Sequence, residues 1–517
     1  MSERAADETP VFGRIDEMVS YWRARAPDSL AAVDHDGRRL SWADLDRLVD
    51  EARAELILAG VGPGHRVALV IENSVAAIAF LMACSRIGAW AVPLNARLTT
   101  EEIEAIVSHC VPQLVVFLSA ASANAQAHAL RFTAREATVW TWDAVAFAPA
   151  VATPPEPVAG EDADRIVVLI YTSGTTGTPK GVMLTQRSVL FVARTSGDLR
   201  EMSARDLSYL VLPLSHIFGL SSTLLGTFHA GGAVWLANRF DAGKVVDALA
   251  SGVTDFQGVP AMYAHILSTL GAVATVRAPA LRSISSGGSP LDLGWKARIE
   301  AAFGLPLGNG YGLTETSPTV AQTRLGERRQ DDSIGYPLPG IEVRIAGPDG
   351  DLGADAVGEL WVRGPGVCAG YYRDPAGTAA AITADGWLKT GDLARQDGDG
   401  ALFIVGRAKE LIIRSGFNVY PADVESALNA HKDVVQSAVV GRTVEGNEEV
   451  VAFVQPRAGA TLSAADLAAF VEQLLAPYKR PQEIILLDVL PASSTGKVLR
   501  KQLAAMAQKP SPGGEAA

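Results

Sequence analysis

Apolar residues recur along residues 40–120 with two alternating patterns, one typical of helices and one typical of buried strands. The segment SWADLDRLVDEARAELILAG has helical spacing, begins with Ser41 as an N-cap followed by Asp44 three residues later, and ends at Gly60. The run RVALVI at 66–71 is short and apolar, which indicates a buried strand. Because such strands alternate with helices, the pattern predicts βαβ units and a largely parallel sheet.

The pattern changes twice toward the C-terminus. Residues 330–405 are rich in glycine, proline and aspartate and contain short runs such as GIEVRI and GELWVRG, which predict a small β-subdomain. From about residue 410, runs such as DVESALNAH and VVAFVQ predict a compact α+β domain. The predicted fold is therefore α/β: a large N-terminal domain of several subdomains, with parallel-rich sheets flanked by helices and a small β-subdomain, followed by a small α+β C-terminal domain.

Composition restricts the function classes. The chain has 517 residues, of which 48% are hydrophobic and 20% charged, as in a globular enzyme of more than one domain. Its net charge of −12 argues against binding to nucleic acid or to an anionic membrane. The first residues, MSERAADETP, do not resemble a signal peptide, and the most apolar run, SVAAIAFLMACS, is too short to span a bilayer. We therefore expect a cytoplasmic protein without a membrane span.

The three cysteines give no sign of a metal site. Cys84, Cys110 and Cys368 are far apart and fit no ligand spacing. We expect them to be reduced thiols in or near the core.

A flexible, polar segment follows an apolar strand at 171–181, where the sequence reads YTSGTTGTPKG. Glycine N–H groups, hydroxyl side chains and a lysine are typical of a phosphate-binding loop, although a loop of this composition can also bind nothing. The Walker pattern requires Gly-Lys followed by serine or threonine. Here Lys180 lies between Pro179 and Gly181, and Lys497 is followed by valine. A kinase or P-loop NTPase is therefore disfavoured.

This loop resembles the phosphate loop of the adenylate-forming superfamily, which includes acyl-CoA synthetases, peptide-synthetase adenylation domains and luciferases. Four further segments resemble later motifs of that family, in the family's order: YGLTE (311–315), WLKTGD (387–392), GRAKELIIRSGFNVYPADVE (406–425) and PASSTGKVLRK (491–501). Five motifs in one order are far more specific than any single one. The chain is therefore similar to AMP-forming acyl-CoA synthetases (carboxylic acid–CoA ligases).

The resemblance implies a two-step reaction. A carboxylate first attacks the α-phosphate of ATP to give an acyl-adenylate and pyrophosphate, and the thiol of coenzyme A then attacks the acyl carbonyl. It also implies a division of the chain into an AMP-binding domain with the ATP and acyl pockets (1–406), a hinge (407–409), a mobile C-terminal domain (410–507) and a disordered tail (508–517). The implied small molecules are ATP, Mg²⁺, coenzyme A and a carboxylic acid.

The resemblance also implies four catalytic residues. Lys497 is expected to contact both the acid carboxylate and the α-phosphate, and Glu315 to bind Mg²⁺, a hard cation that prefers oxygen ligands. His216, in PLSHIFGL, is expected to control entry of the carboxylate, and Thr172 opens the phosphate loop. The expected phosphate-binding residues are Thr172, Ser173, Gly174, Thr175, Thr176, Gly177, Lys180 and Thr314.

The nucleoside and the thiol have their own expected residues. Asp392 is expected to accept hydrogen bonds from both ribose hydroxyls, with Arg407 donating to the same sugar. Gly416 is expected to leave space for the pantetheine arm, and Lys409 to be the pivot of a domain rotation that exchanges Lys497 for the thiol. The residues expected around adenine are Gly287, Gly288, Asn309, Gly310, Tyr311 and Gly312.

The acid itself is restricted only in part. No aspartate lies near PLSHIFGL to bind an α-amine, and the expected pocket walls are apolar or small without arginine or lysine. An apolar monocarboxylate is therefore expected, and the sequence leaves a medium-chain fatty acid and an aromatic acid both open. Two other functions stay open: transfer to a different acceptor such as a carrier protein, and a non-catalytic nucleotide-binding relative. A homodimer is one alternative for the assembly.

Overall fold

The computed structural model describes residues 10–136, 140–149, 151–172, 180–270, 275–414, 417–444, 447–457, 459–492 and 498–508. The predicted α/β architecture is confirmed: strands and helices alternate through the larger part of the chain, and a small α+β unit follows. The α-helices are Glu17–Arg25, Trp42–Leu58, Val75–Ile87, Thr100–Cys110, Ala123–Arg131, Gln186–Leu199, Gly226–His229, Ala242–Ala250, Pro260–Leu270, Leu293–Phe303, Pro375–Ala381, Pro421–Asn429, Ala464–Glu472 and Arg500–Ala507.

A nine-stranded sheet forms one half of the larger unit. Its strands from 30–33 to 307–312 are mutually parallel, and the strands at both edges are antiparallel to their neighbours. In spatial order the strands are Tyr336–Pro337, Thr319–Gln322, Leu307–Gly312, Ser283–Ser286, Asp255–Gly258, Leu207–Leu210, Ala233–Leu236, Leu30–Val33 and Arg39–Ser41.

An eight-stranded sheet forms the other half. Four of its strands are parallel, and the outermost of these, Ile166–Thr172, pairs antiparallel with Lys180–Thr185 to form the hairpin of the predicted phosphate loop. In spatial order the strands are Gly370–Tyr371, Lys180–Thr185, Ile166–Thr172, Trp90–Asn95, Arg66–Ile71, Leu114–Phe117, Ala146–Phe147 and Arg135–Glu136.

The helix Val75–Ile87 lies in one hydrophobic core with apolar residues of both sheets. Every residue from Val75 to Ser85 is buried, which explains why its sequence is apolar on all sides rather than on one face. It begins at Ser74, whose side chain caps the Ala77 N–H, and ends at Gly88 in the left-handed conformation. The apolar run that is too short to span a bilayer is thus a buried helix. Among the described residues, no helix is long and apolar enough to cross a membrane.

The predicted β-subdomain is a five-stranded antiparallel sheet. Its last two strands place Asp392 directly opposite Arg407, so both side chains are held by a rigid ladder. In spatial order the strands are Gly350–Asp351, Glu342–Gly347, Gly358–Arg363, Leu388–Gln396 and Leu402–Arg407.

The C-terminal unit follows a 3₁₀ turn, Ala408–Glu410. A three-stranded sheet of Val434–Val444, Asn447–Pro456 and Glu483–Leu486 packs against helices Pro421–Asn429 and Ala464–Glu472, with a short hairpin of Ile412–Arg414 and Phe417–Val419 beside it. All three cysteines are buried and unpaired, as predicted.

The parallel strands of both sheets end at the same place. The strands of the nine-stranded sheet end at Gly312, Ser286, Gly258 and Leu210, and those of the eight-stranded sheet end at Thr172 and Asn95. Residues at or just beyond these ends line one cavity. In open α/β sheets, ligands bind outside the carboxyl ends of the strands, which makes this cavity the candidate site.

Candidate active site

A cavity of about 2540 Å³ lies between the two sheets and the C-terminal unit. It is large enough for more than one substrate, since single small-molecule sites usually occupy several hundred Å³. Thirteen of the predicted residues, from six segments of the sequence, line it: Thr172, Lys180, His216, Gly288, Asn309, Gly310, Tyr311, Gly312, Thr314, Glu315, Asp392, Arg407 and Lys409.

A cluster that we call the carboxylate clamp lies at one end of the cavity and consists of Asp392, Tyr311 and Arg407. Asp392 is only 3% exposed; its Oδ2 accepts a hydrogen bond from the Tyr311 hydroxyl at 2.5 Å, and its Oδ1 lies 3.0 Å from Nε of Arg407. Burial, and then the negative charge of Asp392, raise the pKa of Tyr311 well above its usual value, so the phenol stays protonated and donates. Each carboxylate oxygen keeps a second lone pair, so the clamp can still accept two further hydrogen bonds.

Asn309 lies on the same strand, two residues before Tyr311. Its backbone N–H donates to Thr323 Oγ1 at 2.9 Å, and its side-chain nitrogen donates to the Ser333 carbonyl at 3.1 Å. These bonds fix the amide plane, and a ligand amine would be received by the carbonyl oxygen of the side chain.

Glu315 sits beside the strand that pairs with the phosphate-loop hairpin. Its Oε1 accepts a hydrogen bond from the Tyr371 hydroxyl at 2.9 Å, and its backbone carbonyl accepts one from the Cys368 N–H at 2.8 Å. Burial and the neighbouring carboxylate raise the pKa of Tyr371 above its usual value, so this phenol is also a donor. The carboxylate is therefore held in a fixed orientation at the cavity wall.

Lys180 begins the strand that leaves the phosphate loop and pairs with Thr172 across the hairpin. Its ammonium lies 4.7 Å from the centre of the Tyr371 ring and 3.9 Å from an oxygen of Asp374. Tyr371 thus contacts both Glu315 and Lys180, and the sequence motifs gave no signal for it. The predicted loop residues Ser173, Gly174, Thr175, Thr176 and Gly177 lie outside the described residues.

Two glycines allow backbone to approach the cavity closely. A Cβ at Gly312 would meet the Pro318 carbonyl oxygen at 1.6 Å, and Gly288 has φ of +79°. Gly287 does not line the cavity; a Cβ there would lie 3.2 Å from the Phe218 ring, which limits the space behind this segment.

The side of the cavity where the sequence predicts the acid is lined by 211–219 and 259–262. His216 is half-buried there, and neither segment contains arginine or lysine, as the sequence predicted. Arg282 is outside the cavity and pairs with Asp206 at 2.7 Å. The cations that do line the cavity lie elsewhere on its wall and include Arg97 and Arg298.

The turn at the predicted hinge is connected to the last helix. Arg500 binds both carboxylate oxygens of Glu425 at 2.5 and 2.8 Å, donates to the Val439 carbonyl at 2.9 Å, and lies 3.3 Å from Glu410. Lys409, one residue before Glu410, lines the cavity. Lys497 and Gly416 lie outside the described residues. Arg500 lies in the segment PASSTGKVLRK, but it was not singled out because its partners Glu410 and Glu425 are distant in sequence.

Three cations of the small unit, which could attract the phosphates of coenzyme A, have partners within that unit. Arg414 donates to the carbonyls of residues 477, 478 and 480; Lys479 pairs with Asp423 at 2.5 Å, and Arg480 pairs with Glu472 at 2.5 Å. They stabilise the turn around 477–480, and these contacts make them less available to phosphates. Within the described ranges, no group of three or more His, Cys, Asp or Glu residues could hold a metal ion.

Comparison with known proteins gives one consistent result. The family model of the AMP-binding enzymes matches residues 19–372, and that of their C-terminal domain matches 423–497. Indoleacetate–CoA ligase of Aromatoleum aromaticum is 36% identical over 90% of this chain and 93% of its own, and feruloyl-CoA synthase of an Amycolatopsis species is 34% identical over 93% and 96%. ATP-bound MatB of Rhodopseudomonas palustris has a similar structure, with a TM-score of 0.84 and 29% identity over 96% of this chain and 99% of its own.

Proposed function

The chain belongs to the AMP-binding enzyme family, and we propose that it is an AMP-forming ligase that joins an aromatic monocarboxylic acid to coenzyme A. In the first step a carboxylate oxygen bonds to the α-phosphorus of ATP, and the bond to the bridging oxygen breaks to release pyrophosphate. In the second step the thiol, losing its proton, bonds to the acyl carbon, and the carbon–oxygen bond breaks to release AMP.

The carboxylate clamp carries this proposal. Asp392 is buried, pairs with Arg407, and keeps acceptor positions that suit the two hydroxyls of a ribose. The ring of Tyr311, held by its hydroxyl, offers a flat face to adenine, and Asn309 offers a carbonyl oxygen to its exocyclic amine.

The phosphates of ATP would extend from this clamp toward Thr314, Glu315 and Lys180. Lys180 supplies positive charge, and Thr172 leads into the loop that we propose closes over them.

Mg²⁺ fits the same region. Glu315 presents a fixed carboxylate, and Mg²⁺ is usually held by one or two carboxylates together with substrate phosphates and water rather than by a cluster of protein ligands. That preference agrees with the donor set on this cavity wall. When bound with ATP, the ion would neutralise charge on the phosphates.

The acid would lie between Phe218 and Gly310, with its carboxylate near His216. A flat ring suits a slot that has an aromatic side chain on one side and backbone without side chains on the other. The lack of arginine and lysine in 211–219 and 259–262 disfavours a second carboxylate, which would be desolvated without a partner.

The two steps require an exchange of groups at the acyl carbon. We propose that Lys497 is delivered for the first step and withdrawn by rotation of 410–507 about 407–409, which brings Gly416 to the site for the second. Arg500 ties the helix that follows Lys497 to Glu425 and to Glu410, the first residue after the hinge, so these parts of 410–507 would rotate as one unit.

The test is an assay with purified protein, ATP, Mg²⁺ and coenzyme A against aryl acids (benzoate, phenylacetate, cinnamate) and octanoate. We expect CoA thioesters of aryl acids together with equal amounts of AMP and pyrophosphate. AMP release that is independent of coenzyme A would favour a carrier-protein acceptor, and absence of pyrophosphate exchange with every acid would indicate a non-catalytic relative. A cytoplasmic location and a homodimer stay predictions.

A further inference from the structure

The predicted phosphate loop joins the two strands of its hairpin, and the last described residues before and after it are Thr172 and Lys180. These two residues lie opposite each other in the register of the hairpin, and Tyr171 lies opposite Gly181. Tyr171, Thr172 and Lys180 all line the cavity. A contact that fixes this end of the hairpin therefore also fixes the positions of Thr172 and Lys180 at the cavity wall.

The side chain of Tyr171 connects the hairpin to a neighbouring helix. A Cβ at Gly181 would lie 3.2 Å from Cζ of the Tyr171 ring, so the glycine leaves space for the ring to cross the hairpin. The Tyr171 hydroxyl lies 2.6 Å from Nδ1 of His109. His109 is the residue before the end of helix Thr100–Cys110. The last turn of this helix is thus hydrogen-bonded to the residue that precedes Thr172.

A second connection runs from His109 to the segment 371–373. Arg373 Nη1 donates to the His109 carbonyl at 2.9 Å, and the Tyr372 ring lies edge-on to the His109 ring with 5.8 Å between the ring centres. The same segment contains Tyr371, whose ring centre is 4.7 Å from the Lys180 ammonium. His109 therefore contacts one strand of the hairpin directly and reaches the cation of the other strand through this segment.

The bond between Tyr171 and His109 joins two uncharged groups. Burial is the largest cause that raises the pKa of Tyr171 above its usual value, so the phenol stays protonated. Burial, and then the positive charge of Arg373, lower the pKa of His109, so the imidazole stays neutral at pH 7. A hydroxyl and a neutral imidazole can each donate or accept, so the bond can form in either direction.

We propose that His109 is a positioning residue for the triphosphate of ATP, holding Thr172 and Lys180 in place through Tyr171 and Arg373. This inference rests on the proposed function and extends it to a residue outside the cavity wall, since His109 does not line the cavity. AMP lacks the β- and γ-phosphates that Thr172 and Lys180 are proposed to hold. The role therefore applies to ATP and not to AMP.

The first test is the replacement His109→Phe, which removes the hydrogen bond and keeps a ring beside Tyr372. ATP and AMP are titrated separately into the unmodified protein and the variant by calorimetry. Loss of one neutral hydrogen bond corresponds to about a threefold to tenfold change in an equilibrium constant, and we expect the Kd of ATP to rise by this factor. The Kd of AMP should not change. An equal rise for ATP and AMP, or no rise for ATP, would overturn the inference.

The second test asks whether the bond itself is responsible. His109→Asn places an amide, with one donor and one acceptor group, near the position of Nδ1, so it should keep the Kd of ATP within about twofold of the unmodified protein. Tyr171→Phe removes the same bond from the other side and should raise the Kd of ATP as much as His109→Phe. The double variant should be no weaker than either single one. Additive losses would mean that the two residues act independently and would overturn the inference.

Steady-state kinetics separate positioning from a fold defect. In pyrophosphate exchange, His109→Phe should raise KM for ATP and change kcat by less than about twofold, whereas a smaller active fraction would lower kcat and leave KM unchanged. His431→Phe is the matched control. Nδ1 of His431 accepts from the Asp433 N–H at 3.2 Å, its ring lies edge-on to Phe470, and it does not line the cavity. Its KM for ATP should equal that of the unmodified protein.

The outcomes distinguish the two claims. If the unmodified protein neither binds ATP nor catalyses pyrophosphate exchange, the proposed function fails. If it does both, but His109→Phe loses no more ATP affinity than His431→Phe, the proposed function stands and this inference fails. Thermal unfolding identifies a variant that does not fold. If His109→Phe is such a variant, Tyr171→Phe decides the question, because it should weaken ATP and leave AMP unchanged.

Discussion

The replacement Asp392→Asn tests the carboxylate clamp while keeping its shape. The variant keeps an acceptor oxygen but loses the negative charge that pairs with Arg407 at 3.0 Å and accepts from Tyr311 at 2.5 Å. A hydrogen bond to a charged group is worth about 1.5–3 kcal/mol, against about 1 for a neutral one. We therefore expect ATP affinity to fall about tenfold to a hundredfold, since each factor of ten corresponds to about 1.4 kcal/mol.

The assay is a double-mutant cycle between enzyme and substrate. ATP and 2′,3′-dideoxy-ATP are titrated into the unmodified enzyme and the variant by calorimetry, and pyrophosphate exchange gives kcat/KM for each pair. If Asp392 binds the ribose hydroxyls, dideoxy-ATP should bind weakly to the unmodified enzyme, and its affinity should be only slightly lower for the variant. If the affinity lost by Asp392→Asn and the affinity lost by removing the ribose hydroxyls simply add, the assignment of Asp392 to the ribose is refuted.

A matched control exists in the same β-subdomain. Asp355 pairs with Arg395 at 3.0 Å, but its side chain is 68% exposed. Exposed pairs contribute about 0–1 kcal/mol, so Asp355→Asn should change neither ATP affinity nor the melting temperature measurably.

Three further predictions concern other groups. Tyr371→Phe removes the donor to Glu315 but keeps the ring beside Lys180, so the Mg²⁺ concentration for half-maximal pyrophosphate exchange should rise about tenfold; an unchanged Mg²⁺ titration would contradict this. Lys497→Ala should slow adenylation by about a hundredfold or more, yet slow thioester formation from supplied acyl-adenylate far less; equal losses would refute its assignment. Burial lowers the pKa of His229 to about 4, so protonation favours the unfolded chain. The contribution of the neutral His229 to the free energy of unfolding is complete above pH 6.5 and is lost as the pH falls toward 4, by at most about 3 kcal/mol. In urea unfolding, His229→Gln should therefore show a weaker decline of stability over that pH range.

Local patterns in the sequence predicted the elements well. The helix expected after Ser41 forms at Trp42–Leu58 with the capping box to Asp44, and the strand RVALVI forms at 66–71. These elements are specified by residues a few positions apart, so periodicity and capping chemistry are sufficient. The described candidate residues that the motifs identified all line one cavity, except Gly287. Many of them lie at or just beyond the carboxyl ends of strands, and these ends meet at the cavity.

What the sequence did not reveal depends on contacts between distant segments. Tyr371 and Glu315 are 56 residues apart, and His109 and Tyr171 are 62 apart. Each residue alone looks like an ordinary core or surface position, and only the fold brings the pairs together. The same applies to Arg414, which looks like a free cation until the turn 477–480 presents three carbonyl oxygens to it.

The most direct test of the whole account follows an oxygen atom. An aryl acid labelled with ¹⁸O in its carboxylate is converted with ATP, Mg²⁺ and coenzyme A, and the nucleotide product is analysed by mass spectrometry. Attack of the carboxylate on the α-phosphorus predicts AMP that carries one ¹⁸O atom and pyrophosphate that carries none. Unlabelled AMP, or ADP with labelled phosphate, would contradict the acyl-adenylate route.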